Sequence, residues 1–575
     1  MPKNKKKKVI KKEKTWIYLI ILGLICVGAF LLRVLPQLDK VFVNGQVWFR
    51  EVDGWYHLRL IDNMMVNFPH ILKFDIYAVY PNGSADMYYP FLSWLTVIIS
   101  KLTTINYEVV AAFLPPILGT LTLIPIYFLC KELFSKRVGI LACILAAILP
   151  GEFLHRTLLG FADHHAEEVL LMMSSLLFLI LALKTNKWIW RILAGTFIGF
   201  YILNWVGAAF FLLIIGIFIW IKAVKENITI PLCLSIIVPM SIALAMSFWL
   251  VHRETLVALV VLIMGPPSVL LLNRLVRDRK LTLIPIVLIP LCIIGLFHRP
   301  ILNVFWGGLA TYIQEAAPLT PTVLFNTYGI AFILGVIGLL FYIKGKGNLL
   351  FIVWATILLI VTIGQRRWGY YTAIPMAMFA SYLVFYTGKF VKENTRTAVV
   401  VVMCFFMILP MVNHIARISS LPNNITTEWH STLTWLGENT PEPVPSEVYY
   451  QLESTEKAKY GILSWWDYGH WIIRISHRIP LSSPTHASAI PGKFFTAQSE
   501  ETANKVLEGL NIKYVIIDSS LLTGKWYAVV ISAGLSLENK DKILANSMLL
   551  KLWSNKAEGY KLIHEEGYIK VFEKV

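Results

Sequence analysis

With 575 residues, 57% of them hydrophobic and only 15% charged, the chain is too apolar for a soluble multidomain protein of its length. A formal charge of +17 would suggest nucleic acid as a partner of a soluble protein, but here the basic residues gather in one leading tail and in short segments between apolar runs. That is the pattern of membrane topology, and no nucleic-acid partner is expected. Of the six cysteines none lies beyond Cys404, so any later domain is built without disulfides.

Residues 1–14, MPKNKKKKVIKKEK, form a basic tail with eight lysines that runs directly into WIYLIILGLICVGAFLL. This reads as an uncleaved first membrane helix with its N-terminus in the cytoplasm. Runs long enough to span follow at 108–130, 138–155, 168–184, 188–203, 205–221, 229–250, 255–272, 281–297, 328–343, 349–363, 370–387 and 397–413, which with 15–32 makes about thirteen crossings. The loops that fall inside on this count, including KELFSKR, KTNK, KAVKEN, NRLVRDRK, KGKGN and GKFVKENTR, are all basic, as the positive-inside rule requires. The expected organisation is the tail 1–14, a transmembrane domain 15–413 with catalytic outer loops, and an extracytoplasmic globular domain 414–575. In the last, KYVIID and GYIKVFEKV read as strands and EETANKVLEGL as a helix, a mixed α/β pattern.

The unusual polar residues fall on the outer side. Asp53, in REVDGWYHLRL, is either a turn residue or a functional acid in the first outer loop. In GFADHHAEE, Asp163 and His165 sit two apart at a helix mouth; as an extended pair they suit Mn²⁺ or a similar divalent ion, and otherwise Asp163 is a helix cap. Glu315, in TYIQEAAP, is a solvated charge or an acid of the site, and Arg366 and Arg367 in QRRWGYY stand against the positive-inside trend, suited to a phosphate or a lipid headgroup. Beyond the last crossing, GILSWWDYGHWI concentrates aromatic residues around Asp467.

WWDYG at 465–469, together with VDGWYH, DHH, the YIQE segment and RRWGYY in that order, resembles the catalytic subunit of oligosaccharyltransferase, especially its archaeal form (the STT3/AglB family), over essentially the whole chain. The resemblance implies a polytopic α-helical membrane protein of GT-C type. It also implies transfer of a glycan from a polyprenyl (dolichyl) phosphate or diphosphate donor to Asn of Asn-X-Ser/Thr in an acceptor polypeptide. It implies Asp53 and Glu315 as catalytic carboxylates; Asp53, Asp163 and His165 as ligands of a divalent cation, Mn²⁺ or Mg²⁺; and Arg367 and Lys525 as partners of the donor phosphate. Trp465, Trp466, Asp467 and Val529 are implied as the sequon pocket, in which a carboxylate and an indole N–H can both bond a hydroxyl. Two motifs depart from the family pattern: Tyr312 stands where the glutamate motif has Thr, and LLTGKWYAVV keeps Lys525 but carries Leu522 and Val529 at the flanking positions. The DHH form and the cysteine-free outer domain look archaeal, implying a single-subunit enzyme of the plasma membrane.

Two other readings compete. A related polyprenyl-phosphate-sugar glycosyltransferase needs no acceptor-peptide pocket, and a transporter would carry its charges inside the helices rather than in outer loops. Three Asn-X-Ser/Thr sequons, at Asn82, Asn227 and Asn424, serve as internal markers of topology: Asn227 falls inside, while Asn82 and Asn424 fall outside, with Asn424 the preferred acceptor.

Overall fold

The computed structural model describes residues 15–85, 89–275, 316–420 and 425–575. The lysine tail, Glu315 and the sequon Asn424 lie outside these residues, as does the apolar run 281–297.

Among the described residues eight helices are long and apolar enough to cross a membrane, from Thr15–Val41 to Glu393–Val412, and Phe91–Thr103, Trp188–Asn204 and Leu349–Gly364 are shorter apolar helices. The expected count of thirteen is not reproduced one for one. The run 138–155 is a helix at Lys136–Ile148 followed by the single turn Glu152–His155. The break falls at Pro150-Gly151, where Gly151 takes φ +122. Conversely, the apolar helix Phe91–Thr103 lies inside what reads as the first outer loop, and its Phe91 packs on Phe200 with ring centroids 5.3 Å apart.

Lipid is the solvent for this bundle. Leu24, Val27, Val401, Phe405 and Phe406 are all exposed, an arrangement that water would oppose and acyl chains do not. Inside, small residues let helices touch along their backbones: a Cβ on Gly335 or Gly338 of the helix Pro321–Lys344 would meet the carbonyl oxygens of Met376 and Phe379 at 2.6 and 2.2 Å. The basic loops close on polar caps, with Ser135, Thr229 and Asn348 each accepting a backbone N–H of the helix that follows.

The last helix, Glu393–Ser420, extends past the expected boundary at 413–414. Beyond it the chain folds around a four-stranded sheet in the order Gly461–Leu463, Ile512–Asp518, Ile569–Lys574, Tyr560–Glu566. The first pair is parallel and the others antiparallel. The expected strands are the central pair. Sequence pattern overlooked the two edges, because KLIHEE carries too many polar residues and GIL is too short. The sheet's core is continuous with the segment that follows the first membrane helix: Phe49, Trp55, Tyr56 and Ile61 share one apolar cluster with Ile462, Trp465 and Ile472.

Buried ion pairs lock this junction. Arg59 reaches Asp75 at 3.0 Å, lies over the Tyr449 ring at 3.9 Å, and both charges are buried. Arg474, from the helix Gly469–Ser476, pairs with Asp62 at 2.7 Å and Glu108 at 2.8 Å, while Tyr107 and Tyr449 donate to the two oxygens of Asp62.

Removing one partner of a buried pair strands the other charge. Arg59→Leu is therefore expected to lower stability by about 3–5 kcal/mol, and Arg59→Leu/Asp75→Leu to recover part of it. Thermal unfolding of the detergent-solubilised protein measures this; an unchanged midpoint in the single variant would show that the pair carries no stability.

Candidate active site

Asp53 lies in the first turn of the helix Val52–Asn67. That turn approaches the GFADHH segment backbone to backbone, since a Cβ on Gly54 would sit 3.1 Å from the Ala162 carbonyl oxygen. Arg50 N–H donates to Gly160 O at 2.9 Å and ties the same two segments. A side chain after Asp53 would crowd that carbonyl, and the close approach brings the turn carrying Asp53 beside the DHH segment.

Asp163 is buried at the mouth of the helix His165–Thr185. The segment is a bend leading into the helix, not the extended pair expected from its spacing. Asp163 and His165 still converge, because the bend turns both inward, with His165 Nε2 3.1 Å from Oδ2. Oδ1 accepts the His164 backbone N–H at 2.7 Å and also contacts His57 Nε2 at 3.2 Å and His164 Nδ1 at 2.5 Å. The N-cap of the helix is His164, without a side-chain cap hydrogen bond, so Asp163 is not the helix cap that the sequence offered as one alternative.

Burial works to raise the Asp163 carboxyl, but the His164 and His165 imidazoles overcome it and hold the group well below the usual carboxylate range. His164 Nε2 reaches Glu168 Oε1 at 2.9 Å. Burial opposes its charge, yet Asp163 and Glu168 raise the imidazole well above its ordinary value. A pocket this electronegative favours a cation as it favours a proton.

Among the described residues, two sets of side chains place their ligand atoms within 4.8 Å of one another: His57, Asp163 and His164, and His164, His165 and Glu168. Carboxylate oxygen with imidazole nitrogen suits a divalent ion. Neither set includes Asp53. Sequence reasoning passed over His57 and Glu168. His57 was legible as the residue one helical turn after Asp53; Glu168, inside an apolar run, gave no signal beyond its being a charge there. Glu168 Oε2 accepts from Tyr370 at 2.6 Å and Tyr371 at 2.5 Å, which ties RRWGYY to the same cluster. Arg366 and Arg367 form a short turn at half-buried positions before those tyrosines, and Arg366 N–H donates to Ala317 O at 3.0 Å.

WWDYG arrives from the other side. His470, immediately after the motif, is fully buried, with Nδ1 3.4 Å from Asp53 Oδ1 and its ring stacked on Tyr56 at 4.9 Å. Trp466 is half-buried and Asp467 partly open, but Trp465 is buried in the core. Two further site candidates are engaged within the domain. Val529 is buried on the helix Trp526–Ser532, whose backbone packs on the helix Ile490–Thr496 so closely that a Cβ on Gly492 would lie 2.9 Å from the Val529 carbonyl oxygen. Lys525 is held by the acceptor motif, with Nζ 2.7 Å from Asp467 Oδ2 and 3.0 Å from the Tyr468 hydroxyl. Its ammonium is thus paired with two residues of WWDYG in this structure.

Residues 23–418 match the family model "Oligosaccharyl transferase STT3, N-terminal", and 426–522 match "AglB core domain". The chain belongs to the STT3/AglB oligosaccharyltransferase family. It is 30% identical to dolichyl-phosphooligosaccharide-protein glycotransferase 3 of Archaeoglobus fulgidus, over 91% of this chain and 71% of that one. Its fold is similar to archaeal oligosaccharyltransferase AglB from the same organism in complex with an inhibitory peptide and a dolichol-phosphate (TM-score 0.87, 25% identity, 96% of this chain and 80% of that one). It is also similar to an Archaeoglobus fulgidus oligosaccharyltransferase in complex with Zn and sulfate (TM-score 0.81, 26% identity, 95% and 79%). Like them it is a multi-pass membrane glycosyltransferase with a sheet-containing C-terminal globular domain.

Asp163 touches His57, His164 and His165 at once. Asp163→Asn is therefore expected to weaken divalent-cation binding at least about tenfold, measured by calorimetric titration of the solubilised protein with Mn²⁺. An unchanged isotherm would place the ion elsewhere.

Proposed function

We propose that this protein transfers a glycan from a dolichyl-type phosphate or diphosphate donor to the side-chain nitrogen of Asn in Asn-X-Ser/Thr, with its active site on the extracytoplasmic face of the plasma membrane. The observation that carries this is convergence on Asp53. The carboxylate lies on one helix with His57, which touches Asp163, and beside His470, which follows WWDYG. A donor-side cation cluster and an acceptor-reading motif thus meet at one acid. The family relatives named with a dolichol-phosphate and with peptide support the same pair of substrates. The basic loops at the opposite helix ends support a cytoplasmic N-terminus and an external globular domain. We read the enzyme as acting as a single subunit.

Asp163 and His165, with Asp53 from the facing helix and His57 and His164 alongside, are the residues that would hold Mn²⁺ or Mg²⁺. Bound there, the cation supplies Lewis-acid stabilisation of the departing phosphate. The chain's own residues do the rest. An amide nitrogen is a poor nucleophile because its lone pair is delocalised; Asp53 and Glu315 accept its two N–H hydrogens and polarise it. Arg367 neutralises phosphate charge. Asp467 accepts the hydroxyl of the acceptor's Ser or Thr, and Trp466 borders it, so a residue without that hydroxyl leaves the carboxylate unpaired and is rejected.

Purified protein incubated with a lipid-linked oligosaccharide extract and a fluorescent Asn-X-Thr peptide should form glycopeptide, and EDTA should abolish it. Asp53→Ala should eliminate transfer, whereas Asp467→Ala should raise the acceptor KM. Wild-type transfer by Asp53→Ala in the presence of EDTA would sink the mechanism. The sequons provide a separate check. Ser84 is paired with Asp75 through both backbone groups, at 2.9 and 2.8 Å, and Thr229 caps a helix. Neither sequon can extend into an active site, so Asn82 and Asn227 should be bare by mass spectrometry, and Asn424 is the site to find modified. A glycan on Asn227 would invert the proposed topology.

A further inference from the structure

We propose that Asp518 is the positioning residue of the acceptor-hydroxyl site, acting through Tyr468 and Lys525 to orient Asp467. This rests on the acceptor-reading role given above to WWDYG.

Asp518 ends the central strand Ile512–Asp518 and is 3% exposed. Oδ1 accepts the backbone N–H groups of Ser520 (3.0 Å) and Leu521 (3.3 Å) and the Ser520 hydroxyl at 2.6 Å. Oδ2 accepts Trp429 Nε1–H at 3.1 Å and the Tyr468 hydroxyl at 2.7 Å. The carboxylate is therefore held by five donors and cannot turn. Because Tyr468 gives its only proton to Asp518, its oxygen is left as an acceptor, with the Ser520 hydroxyl 3.1 Å away. That oxygen receives the Lys525 ammonium at 3.0 Å, and the cation lies 4.2 Å from the ring centroid.

Lys525 is thus fixed at one end by a tyrosine whose polarity Asp518 sets, and at the other it pairs with Asp467 Oδ2 at 2.7 Å. Oδ1 of Asp467 is left as the acceptor for an incoming hydroxyl. A free lysine would satisfy either oxygen of Asp467; a pinned one selects which oxygen remains. On this account the tyrosine of WWDYG is a polar relay between a buried anchor and the recognition carboxylate.

The chemistry predicts which changes break it. In Asp518→Asn the side chain keeps its oxygen toward the two backbone N–H groups, which turns the amide NH₂ toward Tyr468 and Trp429, both donors. Tyr468 must then accept from the amide and can no longer present the same lone pair to Lys525. Tyr468→Phe removes a single oxygen and leaves the ring's packing on Trp429 and Trp471 intact.

The test is steady-state transfer by the full-length solubilised enzyme to Asn-X-Thr and Asn-X-Ala peptides, comparing native protein, Asp518→Asn, Tyr468→Phe and the double variant. Each single variant should raise the Asn-X-Thr KM about tenfold with kcat within about twofold. The double variant should be no worse than either single, since both cut the same chain. Additive effects, or a fall in kcat at unchanged KM, would overturn the proposal. Should Asp518→Asn fail to fold, Tyr468→Phe decides alone, and a native KM in that variant overturns the inference. Equal rates of the native enzyme on the two peptides would overturn the parent reading and this inference with it. Native discrimination with a native KM in Tyr468→Phe would overturn this inference only.

Discussion

A single guanidinium, that of Arg474, ties together parts of the chain almost four hundred residues apart in sequence. It reaches Asp62 on the outer-loop helix and Glu108 at the start of a membrane-spanning helix, from a short helix that begins one residue after Tyr468. Asp62 is buried and Arg474 and Glu108 are half-buried, and withdrawing charge from water is costly, so an arrangement that leaves any of the three unmatched is disfavoured. The consequence is geometric. With Arg474 seated, the helix Gly469–Ser476 lies along the helix Val52–Asn67, and His470 comes to rest against Asp53. WWDYG and Asp53 are held at a fixed separation by an interaction that belongs to neither.

A second constraint comes from the membrane. Helices that need lipid on their outer faces pack tightly inside, through close contacts such as that between Gly335 and Met376, and their ends are where polar groups can gather. At one end the loops are basic. At the other Asp163 and Glu168 share three imidazoles and two tyrosine hydroxyls. In a low-dielectric mouth such a cluster is costly unless every charge is answered. The same demand makes the cluster suited to a cation and draws Tyr370 and Tyr371, and with them the turn carrying Arg367, toward it. Glu168, a member of one candidate ligand set, links the histidine cluster to RRWGYY.

The surroundings of WWDYG obey a different logic, because they are built on a rigid sheet. Asp518 closes the central strand, and Tyr468 and Lys525 come from two segments that converge over its end. Placing Asp467 on such a support removes rotational freedom that an isolated loop would retain, and in the proposed role that rigidity is what would let one carboxylate discriminate by a single hydroxyl.

Sequence by itself determined the membrane class, the ordering of apolar runs and the motif set, because hydropathy and charge bias act locally and because WWDYG, DHH and VDGWYH are contiguous strings. It also identified Asp53, Asp163, His165 and Asp467 as residues of consequence, since an acid beside an apolar run is conspicuous. Only the tertiary structure decided which of them meet. His57, Glu168, His470, Arg474 and Asp518 owe their roles to partners far away in the chain, and no spacing rule connects Asp518 with Trp429 or Arg474 with Glu108. Burial was decided there too. Val529 and Trp465 look available in a string of letters, and the packing of a short amphipathic helix and of the sheet core withdraws them. Lys525 shows the reason most directly: a lysine's charge is legible anywhere, but its partner is set by the fold, and here the fold spends it on Asp467.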